Sequence, residues 1–216
     1  MTMVDMKTKF SNITVLGLTG GIGCGKSQVA EFFRDHDVQI IDADFVGREL
    51  LEPEHSCWQA LKNEFGDIFF DHARRVDRPA LRKAIFSDEI TRAKINELFH
   101  PLIHEAVLGL IGEYAEGLPD GNTTGLIVVE VPLLFESGWL EDYDKIIVVY
   151  ADMENCLQRL MARDQVTRED AEAAIRAQMP LAEKVKLADM VIDNNGELER
   201  TRFQVDTVMN ELGGSV

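Results

Sequence analysis

The segment Ile13–Ser27 reads ITVLGLTGGIGCGKS, an apolar run followed by the pattern G-x-x-x-x-G-K-[ST] over Gly20–Ser27. The apolar run predicts a buried parallel β-strand, and the residues from Gly25 to about Asp35 predict a helix. A strand before the pattern and a helix after it are the context that a phosphate-binding loop requires. A glycine-rich turn before an ordinary helix would explain the glycines, but not why Lys and Ser follow in this order. We therefore predict a phosphate-binding loop.

Each residue type in this loop has a mechanical reason to be there. Glycines let the backbone curl until successive N–H groups point at one anion, and the N-terminal end of the following helix adds positive potential. Lys26 is placed to reach the β- and γ-phosphates of a nucleotide, and the Ser27 hydroxyl is placed to ligate Mg²⁺. The loop therefore indicates a nucleotide-binding protein.

The composition is that of a globular protein with a strongly acidic balance. The 216 residues carry a formal net charge of −16, with 45% hydrophobic and 28% charged residues. This length suits one domain of ordinary size, with room for a subdomain or a lid. Binding to a nucleic-acid backbone needs clustered Lys and Arg, so the acidic balance argues against a nucleic-acid partner.

Targeting and redox signals favour a cytoplasmic protein with no membrane partner. Residues 1–7 lack the long apolar stretch of a signal peptide, and no run approaches the length of a membrane span. Cys24, Cys57 and Cys156 are scattered and form no C-x-x-C pair, which is typical of reduced thiols. Cys24 lies at a helix N-terminus, where its pKa could be lowered, but we interpret it as a small filler residue of the loop.

Strands and helices alternate along the chain. Apolar runs predict strands at 13–19, 38–41, 126–131, 145–150 and 190–192. Helical patterns are found at 25–35, 45–51, 56–65, 79–86, 88–115, 152–163, 167–177, 180–188 and 196–212. Ser87 is a candidate N-cap for the longest helix, and Pro101 is expected to kink or break it. Such alternation implies an α/β fold of three layers, with a parallel sheet covered by helices on both faces and a helical insert between its second and third strands.

Two aspartates follow the second predicted strand. Asp44 comes just past its carboxyl end, the edge where open α/β sheets bind ligands, so it should lie near the phosphate loop. A carboxylate there could orient or deprotonate an acceptor hydroxyl. The other interpretation is a helix N-cap. For Asp42 the two interpretations are equally good, whereas for Asp44 its place in the sheet favours function.

Two glutamates lie at and after the end of the third predicted strand. Glu130 ends it after apolar residues and could hold Mg²⁺ through water, although Asp is the usual residue in that role. Glu136 is either a second acid of the site or a loop residue facing solvent, and the sequence does not decide between them.

Two arginines share one face of the helix after the fourth strand. Arg159 and Arg163 stand four residues apart, which suits stacking on adenine and clamping a transferring phosphate. A surface salt bridge from Arg159 to Asp152 or Glu154 is the alternative, and spacing alone would favour it. Because a phosphate loop lies upstream, we favour the interpretation that the two arginines bind ATP. In the insert, Arg48 and Arg82 are single basic residues of a kind that is more often a surface charge than a ligand, and His100 is more often a structural position of a capped or kinked helix.

A set of motifs resembles the dephospho-coenzyme A kinase family. It covers residues 13–212, nearly the whole chain, and the motifs are Val15–Ser27, Ile41–Asp44, His100–Ile103, Val131–Glu136, Arg159–Asp164 and Asp193–Gly196. The resemblance implies a P-loop NTPase fold like that of nucleoside monophosphate kinases, with a five-stranded parallel sheet, a helical substrate-binding insert and a lid. It implies ATP-dependent phosphorylation of the ribose 3′-hydroxyl of dephospho-coenzyme A, the final step of coenzyme A synthesis.

The resemblance also implies a division of the chain. Residues 1–12 are a loose leader, 13–44 and 120–212 form the kinase core with a lid at about 164–180, and 45–119 form the acceptor domain. The substrates are ATP with Mg²⁺ and dephospho-coenzyme A, without a prosthetic group, and the chain is expected to act as a monomer or weak homo-oligomer.

Site residues follow by position in the matching motifs. Catalysis is expected from Lys26, Asp44 and Arg163, acceptor binding from Asp44, Arg48, Arg82 and His100, and Mg²⁺ binding from Ser27 and, through water, Glu130. ATP binding is expected from Gly21, Ile22, Gly23, Cys24, Gly25, Lys26, Ser27, Gln28, Arg159 and Asn194. Cys24 and Gln28 stand where the family usually has Ser and Thr. Because backbone N–H groups do most of the phosphate binding, we expect ATP binding to survive both changes.

Two other functions remain open at this point. A kinase of the same fold could phosphorylate a nucleoside monophosphate, and a nucleotide-dependent regulator could bind a partner with little transfer activity. A purely structural protein would leave the loop and Asp44 unexplained.

Overall fold

The computed structural model describes residues 12–119 and 124–213, and its strands form one sheet. The strands are β1 (Ile13–Gly20), β2 (Gln39–Asp42), β3 (Gly125–Glu130), β4 (Lys145–Tyr150) and β5 (Met190–Asp193). Their order in the sheet is β2-β3-β1-β4-β5. β1 pairs in parallel with both β3 and β4, so that Leu18 lies between Glu130 on one side and Ile147 on the other. The predicted five-stranded parallel sheet is confirmed.

Helices connect and cover these strands. They are α1 (Lys26–Arg34), α2 (Ala43–Glu49), α3 (Ser56–Phe65), α4 (Arg78–Ser87), α5 (Glu89–Gly117), α6 (Leu134–Ser137), α7 (Met153–Asp164), α8 (Arg168–Arg176), α9 (Leu181–Leu187) and α10 (Leu198–Glu211), with a 3₁₀ turn at Leu140–Asp142. Of the predicted leader 1–12, all but Asn12 lies outside the described residues, as do residues 120–123.

The chain divides into two compact units, each with its own core. One unit runs to Ile41 and resumes at Tyr114, and the other is Asp42–Glu113. The core of the first is built on the strands and on α1 and α10, with buried Leu16, Phe33, Ile147 and Val205 among its members. The core of the second contains Cys57, Leu61, Phe69, Leu81, Ile95 and Phe99.

The second unit differs from the prediction at Ser87, and it excludes one of the two outcomes expected at Pro101. Ser87 is the last residue of α4 and not a cap, because the Asp88 carboxylate accepts hydrogen bonds from the N–H groups of Ile90 (3.1 Å) and Thr91 (3.3 Å) at the start of α5. The α5 helix also continues through Pro101 instead of breaking. Phe99 and Leu102 pack in the core beside Pro101, and this packing offsets the lost backbone hydrogen bond. No helix in the described ranges, α5 included, is long and apolar enough to cross a membrane.

The sheet brings the carboxyl ends of its central strands to one edge. β1 ends at Gly20, directly before the phosphate loop, and β3 ends beside it at Glu130. Ligands of open α/β sheets bind at this edge. The fold therefore places the glycine-rich loop where a ligand can reach it.

Gly17 allows the turn after β3 to pack directly on the central strand. A Cβ atom at this position would lie 2.9 Å from a methyl group of Leu134 and 3.0 Å from the ring of Tyr143. We expect Gly17→Ala to lower the free energy of unfolding by about 1–3 kcal/mol, because the core would be overpacked. Urea unfolding measures this.

The matched control is Gly117→Ala in the same unit, where the added Cβ would meet nothing within 4 Å. It should change the free energy of unfolding by less than about 0.5 kcal/mol. Equal stability of the two variants would show that the packing around Gly17 is loose.

Candidate active site

The phosphate loop depends on glycines in the left-handed region of backbone space. Gly23 and Gly25 have φ values of 79° and 89°. A Cβ atom would lie 2.5 Å from the Cys156 carbonyl oxygen at Gly23 and 2.2 Å from the Asn194 amide nitrogen at Gly25. Other residues are excluded at both positions, because the backbone conformation and the space both forbid a side chain.

Two buried side chains fix the position of the Cys24 carbonyl in the loop. The Asn194 side chain donates to it at 2.8 Å, and the Thr201 hydroxyl donates to the Asn194 amide oxygen at 2.9 Å. Asn194 and Thr201 are both buried. These bonds fix the loop against the turn that follows β5.

Arg159 adds a second brace to the same carbonyl. Its guanidinium donates to the Cys24 carbonyl (3.4 Å) and to the Asn194 carbonyl (2.8 Å). The alternative salt bridge to Glu154 is not formed, because Glu154 pairs with Arg168 at 2.7 Å. Arg159 and Asn194 thus act on the backbone of the loop, and their direct contact with ATP stays a prediction.

The side chains of Lys26 and Ser27 lie at the carboxyl edge of the sheet. Lys26 Nζ donates to the Gly21 carbonyl at 3.3 Å, and the Ser27 hydroxyl donates to Glu130 Oε1 at 3.2 Å. Glu130 is buried at the end of β3. The longer carboxylate, which the sequence left doubtful, therefore reaches the hydroxyl of the loop.

This donor set fits Mg²⁺ bound together with a nucleotide. A hydroxyl and one carboxylate are oxygen ligands of the kind the ion prefers, and it keeps several waters and phosphate oxygens. Within residues 12–119 and 124–213, no group of three or more His, Cys, Asp and Glu side chains could hold a metal by itself.

A buried ion pair that the sequence analysis missed lies under the end of the predicted lid. Lys184 on α9 is 0% exposed, and its ammonium group lies 2.9 Å from a carboxylate oxygen of Glu136. The ammonium also donates to the Pro132 carbonyl (3.2 Å), while the Met179 N–H donates to Glu136 (3.0 Å). Glu136 is thus the partner of a buried cation, and it lies on α6 with its side chain 27% exposed.

The same segment bonds to the phosphate loop. The Gln178 side-chain oxygen accepts a hydrogen bond from the Ile22 N–H at 2.9 Å. Gln178 lies between α8 and α9. Sequence periodicity carries no signal for such a contact, because its partners are 156 positions apart.

The arginines beyond Arg159 face outward and bind acids. Arg163 makes two hydrogen bonds to Asp164, at 2.7 and 2.9 Å, and its side chain is 62% exposed. The hydrogen bond to Asp164 raises the pKa of Arg163. The structure therefore separates the two arginines expected on one face: Arg159 is turned to the loop and Arg163 to solvent.

The predicted acceptor residues lie on three helices of the second unit. Asp42 caps α2 by accepting from the Phe45 N–H at 3.0 Å, which confirms its structural interpretation. Asp44 is exposed in the first turn of α2, and the Arg48 Nε group donates to its backbone carbonyl at 3.2 Å. Arg82 lies on α4 and His100 on α5, where burial lowers the pKa of His100.

A cavity in this unit was not predicted. Its volume is about 310 Å³ and its lining includes Leu51, Pro53, Asp71, Arg75, Val76 and Arg78. Arg78 bonds to Glu52 at 2.9 Å, and Arg75 pairs with Asp71 at 3.3 Å. The cavity is therefore polar and lined by charges of both signs.

Removing Glu136 should be more damaging than removing the whole ion pair. We expect Glu136→Ala to lower the free energy of unfolding by about 3–5 kcal/mol, since it leaves the buried Lys184 charge without its carboxylate. The double variant Glu136→Leu/Lys184→Met removes both charges and should recover most of this loss. Denaturant unfolding of both proteins, with Glu183→Ala on the exposed face of α9 as the control, checks this. Similar losses in the single and double variants would contradict it.

Comparison with known proteins agrees with this geometry. A model of the family described as CoaE, dephospho-CoA kinase, matches residues 14–200. The chain is 38% identical over 197 residues to the dephospho-CoA kinase of Oceanobacillus iheyensis, covering 91% of this chain and 96% of that relative. Among solved structures, TT1252 from Thermus thermophilus is 33% identical with a TM-score of 0.78, covering 94% of this chain and 100% of that one.

A further solved structure, the dephospho-CoA kinase from Campylobacter jejuni, is 26% identical with a TM-score of 0.69 and covers 94% of this chain and 98% of that one. The similarity thus extends over almost the whole chain and includes the loop whose bracing is described above. On this evidence, the chain belongs to the dephospho-CoA kinase family.

Proposed function

We propose that this chain carries out its family's reaction with the phosphate loop as the donor site and residues 42–113 as the acceptor side. The family phosphorylates dephospho-coenzyme A with ATP, the final step of coenzyme A biosynthesis. The observation that carries the proposal is the placement of Lys26, Ser27 and buried Glu130 at the carboxyl edge of β1 and β3.

On the donor side, Lys26 is proposed to bind the phosphates of ATP. Its ammonium group donates to the Gly21 carbonyl of the loop at 3.3 Å, and a charged phosphate is a strong hydrogen-bond partner for an ammonium group. Ser27 and, through water, Glu130 would hold Mg²⁺, which would neutralise part of the phosphate charge of ATP. The Asn194 and Arg159 braces keep the loop amides in place, so little reorganisation is needed on binding.

On the acceptor side, Asp44 is the residue proposed to face the ribose 3′-hydroxyl. Asp42 is committed to capping α2, whereas the Asp44 side chain is exposed one turn away from Arg48. Asp44 accepts a hydrogen bond from the attacking hydroxyl and orients it. Arg48, Arg82 and His100 are proposed to bind the rest of dephospho-coenzyme A. The phosphoryl transition state is loose, so this orientation matters more than the basicity of the carboxylate.

The lid supplies the remaining positive charge. Arg163 is proposed to leave Asp164 and neutralise charge on the transferring phosphoryl group, with Arg159 or Arg168 beside it. Exchange of one anionic partner for another costs little, since Arg163 stays charged throughout. Closure of the lid, at about residues 164–180, then excludes water from the site of phosphoryl transfer.

The location and assembly of the chain follow from the same proposal. Its partners are small-molecule substrates, and we propose that it acts in the cytoplasm as a monomer or a weak homo-oligomer. Size-exclusion chromatography with light scattering measures the assembly.

The choice of acceptor separates this function from its rivals. We expect rapid ADP release from ATP only with dephospho-coenzyme A, and background rates with AMP, CMP and shikimate, as a coupled ADP assay would show. Activity with AMP would favour a nucleoside monophosphate kinase. ATP binding without acceptor-dependent ADP release would favour a regulator.

Lys26→Ala should lower turnover by about 10³-fold, or about 4 kcal/mol of barrier, because it removes a preorganised positive charge from the phosphates.

The role of Arg163 can be tested against another arginine of the lid region. We expect Arg163→Ala to lower kcat by about 10³-fold with a smaller change in the KM for ATP, since its charge acts in the transition state. The control Arg176→Ala removes an exposed arginine that pairs with Glu172 at 3.2 Å and should leave kcat within about twofold. Equal kcat values for the two variants would place the catalytic charge elsewhere.

A further inference from the structure

Two thiols that are far apart in the chain meet beneath the phosphate loop. Cys24 in the loop and Cys156 on α7 have their sulfur atoms 3.1 Å apart, although 132 positions separate them. Both side chains are buried, with 1% and 3% of their surface exposed. The Cys156 thiol also lies 3.5 Å from the Ala151 carbonyl. Nothing in the kinase mechanism uses either sulfur.

The two sulfur atoms need only a small approach to form a covalent bond. A disulfide has a sulfur–sulfur length of about 2.05 Å, so the atoms need to approach by about 1 Å. Gly23, next to Cys24, already lies so close to α7 that a Cβ atom there would be 2.5 Å from the Cys156 carbonyl oxygen and 3.1 Å from the Cys156 Cα atom. The loop and the first turn of α7 are therefore in direct contact at this point.

The environment gives the two thiols different reactivity. The hydrogen bond from Cys156 lowers the pKa of Cys24 to about 7, with further help from the charge of Lys26, while burial acts in the opposite direction. Donating that hydrogen bond raises the pKa of Cys156. Burial alone raises the pKa of Cys57, in the other unit, to about 11. Since the thiolate is the nucleophile, Cys24 is the thiol prepared to react first.

We propose that Cys24 and Cys156 are an oxidation site, at which a hydroperoxide forms a disulfide that weakens ATP binding. The Cys24 thiolate attacks one oxygen of hydrogen peroxide, the O–O bond breaks, and Cys24 becomes a sulfenic acid while hydroxide leaves. The hydroxide takes the proton of the Cys156 thiol and becomes water. The Cys156 thiolate then attacks the Cys24 sulfur, forming the S–S bond and breaking the S–O bond with release of a second hydroxide. The thiolate and thiol lose two electrons in total, and the peroxide gains them.

The bond would act on nucleotide binding through the backbone of the loop. The Cys24 N–H donates to the Gly21 carbonyl at 3.2 Å, and the Cys24 carbonyl is held by Asn194 at 2.8 Å. Drawing the Cys24 side chain toward α7 pulls on both bonds and shifts the amides that face the phosphates. A loss of about tenfold in ATP affinity is expected, because weakening one hydrogen bond to a charged group has an effect of about this size.

The covalent change is tested on the full-length reduced protein with a small excess of hydrogen peroxide. Intact mass spectrometry should show a monomer lighter by about 2 Da, and digestion without reductant should give a peptide that joins Cys24 to Cys156. Dithiothreitol should restore the original mass. The variant Cys57→Ala should behave as the wild type does, whereas Cys156→Ala should not give the lighter species. A joined peptide that contains Cys57, or only higher oxidation of single cysteines, would overturn the proposal.

The functional change is tested by calorimetric binding of a non-hydrolysable ATP analogue with Mg²⁺. Reduced protein is measured first, so failure of the donor site appears as absent binding before any oxidation and is distinct from failure of this proposal. After oxidation, the wild type and Cys57→Ala should bind about tenfold more weakly and recover with dithiothreitol. A quantitative disulfide that leaves the affinity within about twofold of the reduced protein would overturn the effect on binding.

Discussion

The hydrogen bond from the Asn194 amide to the Cys24 carbonyl is the constraint on which the donor side depends. A loop that turns its N–H groups toward an anion must place carbonyl groups on its other side, and a buried carbonyl without a partner costs about 1–3 kcal/mol. Asn194 and Arg159 satisfy this carbonyl, and Thr201 orients Asn194. The close approach of Asn194 in turn requires Gly25, because any Cβ there would overlap the amide nitrogen. The glycine at position 25 and the asparagine at position 194 are therefore required together, although the hydrogen bond between Asn194 and Cys24 joins positions 170 residues apart.

A second connection joins the loop to the segment between α8 and α9. Gln178 binds the Ile22 N–H, and the chain immediately after it is held by Glu136, which neutralises the buried Lys184. A buried ammonium is stable only where its charge and its N–H donors are met, and Glu136 and the Pro132 carbonyl do this. The predicted lid is therefore attached near both of its ends, because Ala171 of α8 is buried against Leu157 and Leu160 of α7, and Arg168 pairs with Glu154.

For the binding of an anion, the positive groups of the phosphate loop matter more than the overall negative charge of the molecule. The chain has a formal net charge of −16, which opposes the approach of ATP. Backbone amides, Lys26 and the helix that begins after Gly25 act within a few ångströms, whereas distant exposed acids are screened over about 8–10 Å. Oriented dipoles that are already in place can bind a polyanion without a basic surface. The acidic composition thus argues against binding to a nucleic-acid backbone. It does not argue against the binding of a single nucleotide at the loop.

Features encoded within a few residues could be predicted from the sequence. Apolar runs identified the strands, the G-x-x-x-x-G-K-[ST] spacing identified the loop, and Asp42 was recognised as a possible cap because capping is a contact over three positions. One local prediction was wrong, since Asp88 and not Ser87 caps α5, and the break that was one of the two outcomes expected at Pro101 does not occur. The pairing of Ser27 with Glu130, of Glu136 with Lys184, and of Cys24 with Cys156 joins residues 48 to 132 positions apart, and no local pattern signals them. The sequence by itself determined the class of fold, the loop and the family, because short-range periodicity and motif spacing are written in neighbouring residues. Only the tertiary structure decided which side chains brace the loop and which buried groups meet, because the folding of the sheet sets those distances.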